Sequence, residues 1–234
     1  MYNKDTKGFF WLCCLLVICI LAIGIQGKTN QQWRDSLNAI NKQIAQSPYS
    51  VSLHLRKAAI NLELQQWEFA VDEYKTILRH DEHNLTALFY RAYAYTHLRR
   101  YDLAKNDYND ILLEKPTHLE ARLGLAYVYQ LMDKRNDALD LLNIVVEQHP
   151  DSVSGYVARA SLETDMKRYE AALYDWEQAS RLNPENTDYL LSHIDVLIRL
   201  GRKDTARREL ELLSSRGVNQ GALREFYRRL KEMK

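Results

Sequence analysis

Beyond residue 19 this chain of 234 residues has no cysteine, because Cys13, Cys14 and Cys19 all fall in an N-terminal apolar run. The rest of the sequence therefore has no disulfide framework, no thiol nucleophile and no cysteine-ligated zinc. A lack of thiols also suits an oxidising compartment, where a stray thiol is a liability. Glycine is sparse, with eight residues in all, which leaves few places for strand turns and favours an all-helical chain. Net charge is only +1 and is accounted for by Lys4, Lys7 and Asp5, so nothing global points to nucleic acid as a partner. No His-Glu-x-x-His, Gly-rich phosphate loop, nucleophile elbow or paired-carboxylate signature occurs. The expectation is a protein that is not an enzyme, with no catalytic residue, no cofactor and no metal. The densest histidine cluster, His80-Asp81-Glu82-His83, falls at a turn where polar residues belong, and two histidines without a fixed scaffold make a poor tetrahedral cage.

Proline is scarce too, and its four residues share one comb: Pro48, Pro116, Pro150 and Pro184 are spaced by 68, 34 and 34 residues. Alanine keeps the same beat at Ala70, Ala104, Ala138, Ala172 and Ala206. A second series runs at Ala58, Ala92, Ala126 and Ala160 and lapses at Ile194. Self-similarity at this period marks a stacked repeat protein, in which each unit buries its apolar face only against its neighbours.

With Val51 as position 1, the repeats run over 51–84, 85–118, 119–152, 153–186 and 187–218. In the fourth copy Tyr156, Ala160 and Leu162 form one helical stripe, and Ala172, Leu173, Trp176 and Ala179 form a second. A polar turn from Asp165 to Arg168 separates them, and Asn183-Pro184 stops the second helix, since proline cannot donate to the helical ladder. The repeated alanines suit close crossings of antiparallel helices. Tyr74, Tyr108, Leu142, Trp176 and Leu210 recur at position 24 as core residues rather than as a cofactor box.

This pattern closely resembles the tetratricopeptide repeat family, with Arg91-Ala92, Tyr95, Tyr101, Ala104, Tyr108 and Pro116 as its best matches. Departures stand at Glu82 for the expected proline and at Arg135 and Lys203 for the expected aromatic. The resemblance implies an all-α fold, a right-handed α-solenoid of antiparallel helix pairs with capping helices. Residues 28–50, with the stripe Trp33, Leu37, Ile40 and Ile44, read as an N-terminal half-repeat, and residues 219–234, with Leu223, Tyr227 and Leu230, as a C-terminal cap. Twelve helices are expected.

The resemblance also implies a concave groove lined by the first helix of each repeat. Carried onto this chain, the groove residues are Leu55, Phe89, Tyr90, Tyr93, Leu123, Tyr127 and Val157. Position 5 is apolar in every copy, so the Lys/Asn/Arg clamp by which chaperone-binding members hold a C-terminal carboxylate is missing. The function expected is a non-catalytic protein–protein interaction scaffold holding a peptide or helix of a protein partner. The alternatives are an obligate structural subunit of an envelope complex and a carbohydrate-binding protein or enzyme accessory. Tyrosine suits both a groove and a helix interface, so packing is the competing role for these rings.

At the start, Lys4 and Lys7 precede 20 uncharged residues from Gly8 to Gly27, with an apolar heart at residues 9–25. Residues 1–27 thus read as a signal peptide, with Ala22-Ile23-Gly24 as a cleavage signal, or as a retained membrane anchor. The repeats would then lie in the periplasm or otherwise outside the cytoplasm, free after cleavage or tethered to the inner membrane. From Arg199 to Lys234 eleven Lys/Arg face five Asp/Glu, a solvated cap or a surface for an acidic partner.

Overall fold

The computed structural model describes residues 29–232. The proposed signal or anchor over residues 1–27 lies outside the described residues. The described residues form twelve α-helices and no strand, packed in consecutive pairs. The chain divides into two compact units between Glu114 and Lys115.

The first unit holds α1 (Asn30–Gln46), α2 (Val51–Glu63), α3 (Trp67–Leu78), α4 (Leu85–His97) and α5 (Tyr101–Glu114). The second holds α6 (Leu119–Leu131), α7 (Arg135–Gln148), α8 (Val153–Asp165), α9 (Tyr169–Leu182), α10 (Thr187–Arg199), α11 (Lys203–Ser215) and α12 (Gln220–Glu232). Every alanine of the two series, and Ile194 in place of the missing one, is fully buried, at 0% exposure. That burial lets the backbones of each hairpin approach closely, as small side chains at a crossing allow. The position-24 residues Tyr74, Tyr108, Leu142, Trp176 and Leu210 fill the core between them.

Both ends of the first helices are built from the chain itself. Asn84, His118, Ser152 and Asn186 precede α4, α6, α8 and α10, and each accepts a hydrogen bond from a first-turn backbone N–H. Such caps satisfy donors that a helix start leaves unpaired. Thr29 and Gln32 close a reciprocal capping box at the start of α1. At the other end a left-handed residue recurs every 34 residues: Gln65, Arg99, Asp133, Lys167 and Gly201, with φ of 55, 58, 58, 61 and 75°. In each of these turns the left-handed residue donates three residues back and the next residue donates five back, as Arg99 does to the Thr96 carbonyl and Arg100 to that of Tyr95. This is a Schellman motif, and it turns the chain straight into the second helix.

The array's last elements share one apolar cluster. Leu223 and Leu230 of α12 pack with Ile194, Leu197, Ala206, Leu210 and Leu213, while Phe226 and Tyr227 cover its edge. The exposed side of α12 carries Arg224, Arg228 and Lys231, and Arg228 is paired with Glu225 and Glu232. α12 therefore buries one apolar side in this cluster and leaves a charged side exposed.

Candidate functional site

Charge is first used to brace the hairpins. Position 7 of the first helix pairs with position 23 of the second in four copies: Lys57–Glu73 at 2.7 Å, Arg91–Asp107 at 2.7 Å, Arg159–Asp175 at 2.6 Å and His193–Glu209 at 2.8 Å. The third copy has Leu125 and Leu141 there instead. Arg91 and Arg159 each grip a buried aspartate with two hydrogen bonds, the fork geometry suited to a guanidinium. A second set links consecutive repeats: Arg100 to Glu68 in the first unit and Arg202 to Glu170 in the second. These residues are committed to the scaffold. His54 is too, since its ring is buried between the Glu73 carboxylate and the Pro48 carbonyl.

The seven groove residues divide by burial. Leu55, Phe89 and Tyr93 in the first unit, and Leu123 and Tyr127 in the second, are half-buried. Tyr90 and Val157 are core residues, at 9% and 1% exposure. Tyr90 stacks on Tyr74 of α3, with centroids 6.2 Å apart, so its ring joins one repeat to the next. Val157 lies at a position whose side chain in this copy is enclosed, and neither residue presents a side-chain surface to a partner. Phe89 meets Tyr90 edge-on at 5.3 Å and Tyr108 at 5.8 Å.

The richest aromatic corner of the first unit joins Tyr93 to His97 and Trp67. The Trp67 indole lies parallel to the His97 imidazole at 4.1 Å, and Tyr93 meets both edge-on, at 6.0 Å from Trp67 and 4.6 Å from His97. Trp67 belongs to the second helix of its hairpin, so a reading confined to first-helix positions passes over it. His97 is exposed, yet loss of water around its ring pulls its pKa below the usual histidine value.

Elsewhere in the first unit an open cleft of about 380 Å³ is lined by Leu78, Glu82, His83, Arg91, Leu113 and Glu114. Within it His83 pairs with Glu114 at 3.0 Å, and Arg91 is held by Asp107. Among the described residues no three His, Asp or Glu side chains gather as a metal site. In the second unit Glu163 is buried one turn beyond Arg159, and its Oε2 has no hydrogen-bond partner. Burial, with the Asp175 carboxylate as a further cause, pushes its pKa up to about 7.

Helical hairpins repeating every 34 residues, braced within and between copies, define a repeat scaffold. Two models of the tetratricopeptide repeat match residues 55–117 and 95–161, so that stretch carries tetratricopeptide repeats. Proteins built this way use their repeated faces to bind other proteins. Among curated proteins none matches the sequence. Solved structures share the fold at low identity. A structure titled as the functional characterization of Pseudomonas aeruginosa pilF is 18% identical, aligns over 99% of this chain and 100% of its own, and has a TM-score of 0.69. A tetratricopeptide repeat protein from Parabacteroides merdae is 20% identical over 86% of this chain and 78% of its own, with a TM-score of 0.63. YrrB, described as a tetratricopeptide repeat protein with an unusual peptide-binding site, is 16% identical over 80% of this chain and 97% of its own, with a TM-score of 0.59.

Proposed function

We propose that this chain is a non-catalytic interaction scaffold of the cell envelope that holds a peptide or helix of a partner protein against its first helices. The carrying observation is the half-burial of Leu55, Phe89, Tyr93, Leu123 and Tyr127, which leaves large side chains partly exposed on first helices of both units. Rigid aromatic side chains lose little entropy on binding and dominate interface energetics. YrrB, with the same fold, is described as having a peptide-binding site, which supports the same use here. The envelope part of the reading rests on the basic start and apolar run of residues 1–27. The partner would lie outside the cytoplasm.

The test is affinity capture from native envelope with the full-length chain and with a Tyr93→Ala/Tyr127→Ala double variant, each also melted. Loss of a partner with an unchanged melting temperature is the expected result, since hot-spot truncation costs about 2 kcal/mol or more of binding. Undiminished capture, or collapse of the fold, would remove these tyrosines from the binding surface.

A further inference from the structure

Glu63 is the last residue of α2, Trp67 the first of α3 and His97 the last of α4, so all three stand at one end of the first unit's hairpins. The His97 imidazole is stacked on Trp67 on one side yet remains exposed, and its nitrogens have no protein hydrogen bond among the described residues. The Glu63 carboxylate, also exposed, has no ion pair among the described residues.

We infer that this corner takes an arginine side chain of the partner segment, its guanidinium lying on the open face of the His97–Trp67 stack and reaching the Glu63 carboxylate. The inference rests on the peptide-binding reading above and names the side chain that the first unit recognises. A planar, weakly hydrated guanidinium stacks on aromatic faces and meets a carboxylate with two hydrogen bonds at once. Lysine, a compact and strongly hydrated charge, gains less from a flat stack. The electrostatics agree. Desolvation draws His97 toward its uncharged form, so its ring does not repel a cation at neutral pH. Partial desolvation by its surroundings raises the pKa of Glu63. Of the two cations in the turn after His97, Arg100 is held by Glu68, which leaves Arg99 as the competing charge.

The probe is Nα-acetyl-arginine amide, titrated into the full-length chain in detergent micelles while NMR follows the Trp67 indole N–H and the His97 ring. Saturable shifts with a dissociation constant on the order of millimolar are expected for a single stacked, ion-paired side chain. Glu63→Gln and His97→Ala should each weaken binding about fivefold or more, and Arg99→Gln should bind at least as tightly as the parent, in line with single charge and cation–π contacts. The same amide of citrulline, which keeps the shape and loses the charge, should barely bind. Equal shifts from citrulline, a preference for leucine amide, or no shift at all would overturn the arginine assignment. Each of those results leaves the broader groove reading to the Tyr93/Tyr127 capture experiment, which fails independently.

Discussion

Glu163 shows how a single side chain can oppose the fold that holds it. It is 7% exposed, its Oε2 is unpaired, and the nearby Asp175 is already claimed by Arg159. Its carboxyl group ionises near pH 4.5 when unfolded and at about 7 when folded. The folded state therefore binds the proton more tightly, and stability falls as pH rises from about 4.5 through 7, then levels off. Glu163→Gln should stabilise the protein by about 1–3 kcal/mol at pH 8 and by little at pH 4.5, a difference set by the shift itself. Urea melts at the two pH values decide it, and equal effects at both would mean that Glu163 is solvated. Sequence alone did not single this residue out. Position 11 is Asn61, Tyr95, Tyr129, Glu163 and Leu197 in the five copies, so its burial stems from packing and not from residue type. The same holds for Val157 and Tyr90, whose apolar character fits a groove and a core equally well.

At the level of the helix and its turn, the hairpins were legible because proline and alanine carry steric information that survives without coordinates. Proline stops a helix, and alanine marks where two helices touch. The tight turn inside each hairpin was less legible. Its left-handed position is filled by Gln65, Arg99, Asp133 and Lys167 before glycine arrives at Gly201. Only Gly adopts that conformation without strain, and it costs other residues about 1–2 kcal/mol. Lys167→Gly should therefore raise stability by about 0.5–1 kcal/mol, the gain being trimmed by the added freedom of the unfolded chain. Gly201→Ala should lower it by about 1 kcal/mol through backbone strain alone, because a Cβ there meets nothing within 4 Å. Denaturant midpoints with opposite signs for the two variants are the expected result. Like signs would show that side-chain contacts, not the turn, govern this position.

For the molecule as a whole, the repeats bear on binding but not on address, and the proposed address is residues 1–27. Lys4 and Lys7 set a basic start, and Gly8 to Gly27 gives 20 uncharged residues, about the length that spans a bilayer and somewhat longer than a usual signal core. On the proposed reading, basic residues ahead of such a run stay on the cytoplasmic side, and the repeats beyond it would be delivered across the membrane. The absence of cysteine after residue 19 fits delivery to an oxidising space, where no thiol of the repeats can be mispaired. Among the described residues no helix is long and apolar enough to cross a membrane. A tagged full-length chain should accordingly fractionate with the envelope. Mass spectrometry of the mature N-terminus then separates the two forms: a start near Ile25 to Lys28 marks cleavage, and an intact N-terminus in the membrane fraction marks an anchor. Recovery of the full chain in the soluble cytosol would overturn both, and with them the envelope setting of the partner.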